Sequence, residues 1–408
     1  MINKTKATDM KEDDQPALVP KLRFPEFRDA AGWEEETLSG VATVVMGSSP
    51  KSECYNQSQT GLPLLQGNAD IKNRLSAPRI FTSEITKECT IGDILLSVRA
   101  PVGSVAKSIH HACIGRGIAA VRADQPNSQE FVYQWLLSYE PQWGNISQGG
   151  TFDAVNSDDL KGVAFAVPRP AEQQKIAECL SSVDELIAAQ ARKLDALKTH
   201  KKGLMQQLFP REGETQPRLR FPEFQNAGEW EEKQVGEVFK VTRGEVLSMT
   251  LVQDEKTSEA RFPVYSSQTK KNGLSGYYSD FLYEDAITWT TDGANAGDVN
   301  YRSGKFYCTN VCGVLINTDG YANPCVAALI NSVSRNHVSY VGNPKLMNGV
   351  MAKITIPFPK VEEQKRIADC LTSLDDLIAT QTQKLDALKT HKKGLMQQLF
   401  PSPVELEA

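Results

Sequence analysis

Few residues of this sequence have the types and the spacing that enzymatic chemistry or metal binding requires. Cys308 and Cys312 are candidate zinc ligands, but no second cysteine pair and no histidine couple lies near them, and a structural zinc ion takes four ligands. The eight cysteines are scattered through 408 residues and are better interpreted as reduced thiols of a cytoplasmic protein. The pattern therefore predicts no metal site.

Four further segments contain fragments of catalytic motifs, and each has a simpler interpretation. The triplet Asp254-Glu255-Lys256 has residue types found in metal-dependent nucleases, but it lies in a polar stretch typical of a solvated loop. The pair His110-His111 has no partner acid between its flanking strand-like runs. The Asn-Pro pairs at 323–324 and 343–344 lack the second proline and the aromatic residue with which amino-methyltransferases hold a flipped base. No phosphate-binding Gly-x-x-x-x-Gly-Lys-Ser/Thr loop occurs, so the sequence predicts a non-catalytic chain that binds no cofactor.

Polar and basic residues in turns are suited instead to contacts with DNA. The side chains of Arg, Asn and Gln match the edges of guanine and adenine, whereas Lys suits phosphates. The net charge of −5 does not exclude DNA, because an acidic chain can still present one basic face. Each candidate could equally be an ordinary solvated surface residue. The candidates are Asn68, Lys72, Arg74, Arg99, Arg116 and Thr151, and, later in the chain, Gln268, Lys270, Lys271 and Arg302.

These two groups of candidates lie in two copies of an internal repeat. The segment KLDALKTHKKGLMQQLFP at Lys193–Pro210 recurs unchanged 191 residues later at Lys384–Pro401, and KLRFPEF at Lys21–Phe27 recurs as RLRFPEF at Arg218–Phe224. The blocks between these segments share only a faint skeleton of strand-like runs and glycine turns, in which Gly117-Ile118 is matched with Gly313-Val314. Uniform drift after a duplication does not leave one part identical and another barely recognisable. We therefore expect the helices to do one common job and the blocks to recognise two different things.

The repeated segments at 170–210 and 361–401 have apolar residues at heptad spacing. This pattern predicts two long helices that pair as a coiled coil, although each helix could instead pack on its own globular domain. Polar residues interrupt the seam at Gln190 and Lys201 and again at Gln381 and Lys392, and such polar breaks set the register. A pseudo-twofold axis across the helices would make them antiparallel. The predicted seam consists of Ile176, Leu180, Val183, Ile187, Leu194, Leu197 and Leu204 in the first helix and of Ile367, Leu371, Leu374, Ile378, Leu385, Leu388 and Leu395 in the second.

The repeat predicts an α+β protein with two mixed α/β domains joined by the two helices. No apolar run approaches the roughly 20 residues that span a bilayer, so we expect no membrane segment and a cytoplasmic location. The polar first residues lack the apolar stretch of a signal peptide and are expected to be disordered. The predicted sections are a leader at 1–20, a first domain at 21–169, a helix at 170–210, a second domain at 211–360, a helix at 361–401 and a tail at 402–408.

This organisation resembles the specificity subunit of type I restriction–modification systems. The resemblance rests on the order of variable block and helix, repeated once, and covers Leu22–Pro401. It also rests on the stretch Gly92-Asp93-Ile94-Leu95, on Cys113–Ala119 and on the ending KKGLMQQLFP of both helices. The second block has Thr309–Gly313 where the first has its Ile-Gly-Arg-Gly letters, so the resemblance gives Arg116 no counterpart there.

The resemblance implies a function in which the chain itself is not an enzyme. Each block would be a target-recognition domain that reads one half of a bipartite, asymmetric double-stranded DNA site. The antiparallel coiled coil would set the spacer and dock two methyltransferase subunits, which use S-adenosylmethionine to methylate adenine N6. Two motor-nuclease subunits would use ATP and Mg for restriction. The alternative is a scaffold whose blocks bind proteins, and steeply salt-dependent binding to specific DNA would distinguish the two.

Overall fold

The computed structural model describes residues 18–143, 154–211, 213–267 and 271–401. The chain forms two compact units: unit 1 comprises Met1–Gln190 and Lys384–Ala408, and unit 2 comprises Ala191–Gln383. The division falls inside both long helices, so each unit contains part of each helix. Three DNA-contact candidates, Thr151, Gln268 and Lys270, lie outside the described residues. The boundaries proposed above for the leader, domains, helices and tail remain predictions.

Unit 1 contains a six-stranded sheet in the order β2-β12-β9-β10-β6-β5, a five-stranded sheet in the order β3-β7-β4-β11-β8, and the pair β1-β13. Its elements are β1 Glu34–Thr37, α1 Leu38–Val41, β2 Ala42–Met46, β3 Tyr55–Asn56, β4 Leu62–Leu65, β5 Ile71–Lys72, β6 Leu75–Ser76, β7 Ile80–Thr82, β8 Glu88–Cys89, β9 Ile94–Ser97, β10 Val105–Lys107, β11 Ala112–Ile114, β12 Ile118–Ala123, α2 Gln129–Tyr139, α3 Ser157–Lys161, β13 Ala164–Val167 and the long helix α4 Pro170–Leu208, which continues into unit 2.

The main core of unit 1 lies between its six-stranded sheet and α2. Every residue of β9 is buried, as expected for a central strand covered on both faces. Ser128 caps α2, because its side chain accepts a hydrogen bond from the amide of Phe131. The ring of Phe131 is fully buried and contacts Phe400, which follows the second long helix, at 5.6 Å between ring centroids. Unit 1 is therefore completed by a segment far along the chain.

Unit 2 contains a six-stranded sheet in the order β15-β20-β18-β19-β16-β17 and the pair β14-β21. Its elements are β14 Glu231–Gln234, α5 Val235–Val238, β15 Lys240–Arg243, β16 Phe262–Tyr265, β17 Leu274–Tyr278, β18 Tyr283–Thr290, β19 Val299–Cys308, β20 Cys312–Ile316, α6 Pro324–Ser334, α7 Asn348–Ala352, β21 Thr355–Phe358 and the long helix α8 Val361–Leu399, which continues into unit 1. Its core includes Leu208 and Phe209 from the end of α4.

The two long helices are antiparallel in unit 1. Lys392 of α8 donates to both carboxylate oxygens of Asp184 of α4, at 2.7 Å each. Leu180, earlier in α4, packs in the same cluster as Leu399, later in α8. The two helices therefore run in opposite directions.

Unit 2 repeats this arrangement with the helices in exchanged roles. Here Lys201 belongs to α4 and donates to Asp375 of α8 at 2.5 Å. Leu208, later in α4, packs in the same cluster as Leu371, earlier in α8. The two lysines that interrupt the heptads thus each have a carboxylate partner. The predicted fold class, two mixed α/β domains with an antiparallel coiled coil and a pseudo-twofold repeat, is confirmed.

All of the predicted seam residues are buried or half-buried. Off the seam, Leu186 and Leu377 are 57% and 40% exposed. Residues such as Ile176 and Ile367 also belong to the apolar clusters of the domains. The first turns of each helix therefore pack on the domain that precedes it, as in the alternative interpretation of the heptads.

The repeated RFPEF segments attach each domain to its long helix through a buried ion pair. Arg23 donates to both carboxylate oxygens of Glu172, at 2.8 and 2.7 Å, and the indole of Trp33 donates to the same carboxylate at 3.3 Å. In unit 2, Arg220 and Trp230 make the same bonds to the carboxylate of Glu363. The pKa of each arginine is raised, mainly by these hydrogen bonds.

Candidate nucleic-acid interface

The two units build the same loop framework from unlike sequences. Six backbone hydrogen bonds, all between 2.8 and 3.1 Å, recur at corresponding places in the two units. Ile118 pairs with Ser97 across β12 and β9, as Cys312 pairs with Thr290 across β20 and β18. Each bond of unit 1 is given with its counterpart in unit 2: Gly47 N to Ile118 O with Gly244 N to Cys312 O; Ser48 N to Ile114 O with Glu245 N to Cys308 O; Val98 N to Gly117 O with Thr291 N to Val311 O; Gly103 N to Ser97 O with Gly297 N to Thr290 O; Gly115 N to Leu65 O with Thr309 N to Tyr265 O; and Val155 N to Val98 O with Leu346 N to Thr291 O.

This correspondence corrects the register that the glycines of the sequence indicated. Gly117 corresponds to Val311 and not to Gly313, because Gly117 and Val311 accept the corresponding bonds from Val98 and Thr291. Gly313 has a different reason to be glycine: a Cβ there would lie 2.1 Å from the ring of Trp289. The glycine letters were therefore matched wrongly, since one glycine serves a turn and the other makes room for an indole.

An open cleft of about 580 Å³ in unit 1 brings together three of the predicted DNA-contact residues. Asn68 follows β4, Arg99 follows β9, and Arg116 lies in the turn between β11 and β12. Both arginines are exposed. Within the described part of the chain, neither guanidinium has a hydrogen-bond or ion-pair partner. As far as the described residues go, the cleft thus presents two unpaired guanidinium groups and one amide.

Close backbone packing fixes the loops that form this cleft. A Cβ on Gly117 would lie 2.3 Å from the carbonyl oxygen of Gln66, so only glycine permits this approach. The buried carboxylate of Asp70 accepts hydrogen bonds from the amide of Gln66 and from Arg79, both at 2.8 Å. The loop that carries Asn68 is therefore held from both sides.

Arg74, in contrast, already has partners inside unit 1. It lies in the β5–β6 turn with a φ of 64°, and its guanidinium makes a bidentate pair with Glu140 and donates to the carbonyl oxygen of Val105. The hydrogen bond to Glu140 is the main cause that raises the pKa of Arg74. Lys72, nearby, is exposed. The side chain of Arg74 therefore links the β5–β6 turn to Glu140 at the C-terminal end of α2.

Arg302 is likewise held within the interior of unit 2. Only 9% of it is exposed, and burial lowers the pKa of its guanidinium. It donates to Thr288 at 3.0 Å and to the carbonyl oxygen of Asn272 at 2.7 Å, and it lies 3.8 Å above the ring of Tyr265. It borders a cavity of about 210 Å³. Lys271, which directly precedes Asn272, is exposed.

Sequence reasoning missed the residues of unit 2 that correspond to the free arginines. Asp292 directly follows Thr291, as Arg99 follows Val98, and Asn310 corresponds to Arg116 in the other turn. Asn310 is exposed and Asp292 half-exposed. Only the strand register reveals these matches, because the surrounding sequences of the two units are too dissimilar for the register to be found from them.

The histidine pair and the cysteine pair have ordinary structural contacts. His110 bonds with Ser76 at 2.7 Å, and His111 pairs with Glu88, an acid that the sequence did not place beside it. Burial raises the pKa of the Cys308 thiol. Within residues 18–143, 154–211, 213–267 and 271–401, no group of three or more His, Cys, Asp and Glu residues is placed to hold a metal ion.

Comparison with known proteins identifies the family. The family model for the type I restriction modification DNA specificity domain matches residues 31–199 and again 227–390. The chain belongs to this family. The two matches cover both domains and most of both long helices, so they reproduce the internal repeat.

Curated relatives agree with this family. A putative type I restriction enzyme MjaX specificity subunit from Methanocaldococcus jannaschii is 34% identical over 167 residues, which are 41% of this chain and 39% of that protein. The N-terminal part of a putative type I specificity subunit from Mycoplasma pneumoniae, S.MpnORF289P, is 39% identical over 140 residues, 34% of this chain and 73% of that protein. The chain thus spans about two fifths of the first relative's length.

Solved structures share the fold. The S subunit of a type I restriction–modification system from M. genitalium has a TM-score of 0.65 at 18% identity, covering 94% of this chain and 100% of that one. A chain from a structure of complex assembly and conformational transition in the type I R-M system has a TM-score of 0.53 at 16% identity, covering 91% of this chain and 98% of that one.

The chain therefore contains two copies of the type I restriction modification DNA specificity domain. The described lining of the cleft in unit 1 offers two guanidinium groups and one amide, which suit the edges of DNA bases. Among the described helices, none combines the length and the apolar composition that crossing a bilayer requires.

The exposed faces of the long helices are also repeated. Lys198, His200 and Lys202 are exposed in the first copy of the identical segment. Lys389, His391 and Lys393 are exposed in the second. Packing of the seam does not by itself require identity at these exposed positions.

Proposed function

We propose that the chain directs a type I restriction–modification complex to a bipartite, asymmetric DNA site, with each unit reading one half of that site. The observation that carries this proposal is the common loop framework with unlike side chains. Arg99 and Arg116 stand in unit 1 where Asp292 and Asn310 stand in unit 2. One framework with two sets of hydrogen-bonding groups suits a protein that reads two different short sequences.

The chemistry of the unit 1 cleft supports contact with DNA. A guanidinium without a protein partner can make two parallel hydrogen bonds to the edge of a guanine or to a phosphate. Asn68 adds an amide, whose acceptor and donors match adenine. Lys72 and Lys271 are exposed and suit phosphates.

The helices serve the second part of the proposal, the assembly. We propose that α4 and α8 set the spacer between the half-sites and dock two methyltransferase subunits, one on each copy of the repeated exposed face. The methyltransferases would bind S-adenosylmethionine and methylate adenine N6. Two motor-nuclease subunits would use ATP and Mg, and the chain itself would bind none of these cofactors. Such a complex would act on DNA in the cytoplasm.

Co-expression with the methyltransferase of the same genome tests the proposal. The purified complex should methylate one bipartite sequence, as mapped by sequencing that detects N6-methyladenine. Its binding to that duplex should weaken steeply with salt, because lysines and arginines displace counterions from phosphates. The control reactions contain the chain alone or the methyltransferase alone.

Two results would contradict the proposal. If the chain alone transfers methyl groups from S-adenosylmethionine, it is an enzyme. If the complex binds proteins but shows no preference among DNA sequences, the scaffold alternative is correct.

A further inference from the structure

The charge of the side chain reverses at one of the corresponding loop positions. Arg99 of unit 1 corresponds to Asp292 of unit 2, because each directly follows the residue that bonds to the opposite turn. In that turn, Arg116 corresponds to Asn310. Corresponding backbone hydrogen bonds thus support a cation in one unit and an anion or an amide in the other.

A reversal of charge distinguishes a base contact from a phosphate contact. Phosphates carry the same negative charge in every DNA sequence, so a position that faces one must suit an anion in both units. Asp292 does not suit an anion, since two negative groups repel. Base edges differ instead: guanine presents two acceptors to the major groove, whereas cytosine presents an amino donor. A position that holds Arg in one unit and Asp in the other therefore matches a base.

The side chains have the capacity that such contacts require. Asp292 accepts one hydrogen bond from Thr291 at 2.6 Å and forms an ion pair with Lys345 at 3.9 Å. These contacts leave further lone pairs on a carboxylate that can accept about four bonds. Among the described residues, no partner bonds the side chains of Arg99, Arg116 or Asn310. Each can therefore form a new pair without breaking an internal one.

We infer that Arg99 and Arg116 each read a guanine in the half-site of unit 1, and that Asp292 and Asn310 read a cytosine and an adenine at the corresponding places in the half-site of unit 2. The inference rests on the proposed function, because it assigns bases to the DNA reading proposed there. It makes the two half-sites different in base composition at two corresponding positions.

Exchange of residues between the two frameworks tests this assignment. In the complex with its methyltransferase, Arg116→Asn and Arg99→Asp each place the residue of unit 2 in the loop of unit 1. Binding and methylation are measured on duplexes that carry each of the four bases at each position of both half-sites. Each variant should lose a guanine preference of roughly ten- to a hundredfold at one position of one half-site. The preferences in the other half-site should not change.

Arg169→Asn is the matched control, because it removes the same charge from an exposed arginine of unit 1 outside the cleft. It should leave every base preference unchanged. The reciprocal variant Asp292→Asn should lose the cytosine preference in the half-site of unit 2. The remaining positions of the same half-site report whether the variant unit is folded, since a misfolded unit would lose every base preference in its half-site.

The results separate this inference from the proposed function. If Arg99 and Arg116 variants weaken binding equally for all sequences and lower its salt dependence, these residues contact phosphates. The base assignment is then overturned while the proposed function stands. If the wild-type complex prefers no sequence at all, the proposed function fails and this assignment fails with it.

Discussion

At the scale of single residues, the buried carboxylates at the start of the long helices hold the most concentrated set of bonds. Glu172 and Glu363 are 2% and 1% exposed, and each accepts two bonds from an arginine and one from a tryptophan. A charge that loses its partner in such a place is left desolvated, which is costly. The arginine of the repeated Arg-Phe-Pro-Glu-Phe segment therefore attaches each domain to its long helix.

Glu172→Gln should lower the free energy of unfolding of unit 1 by about 3 kcal/mol, because it leaves Arg23 without its carboxylate. Hydrogen–deuterium exchange in increasing urea, followed by mass spectrometry, would measure this loss in peptides from residues 18–143. Peptides of unit 2 in the same molecule provide the control, and Glu363→Gln should reverse the pattern. The exposed pair of Glu26 and Lys175 gives a second control, since Glu26→Gln should change little. Equal protection in wild type and Glu172→Gln would show that the attachment contributes nothing.

At the scale of elements, two letter-identical helix segments have unequal surroundings. Lys392 is 12% exposed, and its partner Asp184 also accepts a bond from Gln134 of α2 at 2.8 Å. In unit 2, Asp375 is 57% exposed, and Lys201 is its one partner among the described residues. The domain that packs on the helix therefore changes the burial of each pair and the number of its partners.

Double-mutant cycles should therefore give a larger coupling energy for Lys392 and Asp184 than for Lys201 and Asp375. Alanine at each position and at both should give a coupling of about 1 kcal/mol for the first pair and about 0.3 kcal/mol for the second. The measurement is the unfolding free energy of the unit that contains the pair. Lys393→Ala and Lys202→Ala remove exposed lysines next to each pair and serve as controls. The idea is wrong if the two couplings are equal.

The sequence predicted the long helices and their pairing better than it predicted the partners of individual side chains. Heptads and repeats depend on spacing within one helix, so the seam and its two lysines could be found from letters alone. Arg74 could not be assigned, because Glu140 lies 66 residues away and meets it only in the folded sheet. The partners of Arg302 could not be predicted for the same reason, since its position between Tyr265 and Thr288 depends on strand order. Asp292 and Asn310 were missed because matching letters gave the wrong register.

At the scale of the whole molecule, each unit needs a segment from both helices. Leu399 and Phe400 complete the core of unit 1, and Leu208 and Phe209 complete that of unit 2. These residues end two copies of one identical segment. Either copy can therefore make the contacts that the other makes.

A fragment of residues 1–210 should form a dimer, in which Leu208 and Phe209 of one copy take the places of Leu399 and Phe400 in its partner. Sedimentation equilibrium would measure the mass, and Phe209→Asp should yield monomers because it places a charge in that core. Arg211 lies just beyond the identical segment and is exposed, so Arg211→Asp in a fragment extended to residue 211 is the control that should still dimerise. A folded, monomeric fragment would show that identity of the two segments is not enough.

The core of unit 1 also fixes an order of events during translation. Trp33 and Phe131 leave the ribosome early, but Phe400, which contacts both rings, is synthesised only after the whole of unit 2. The nascent chain therefore carries an unfinished first domain while its second domain can already be complete. A premature stop codon at residue 384 would spare the domain encoded just upstream and damage the one encoded furthest away.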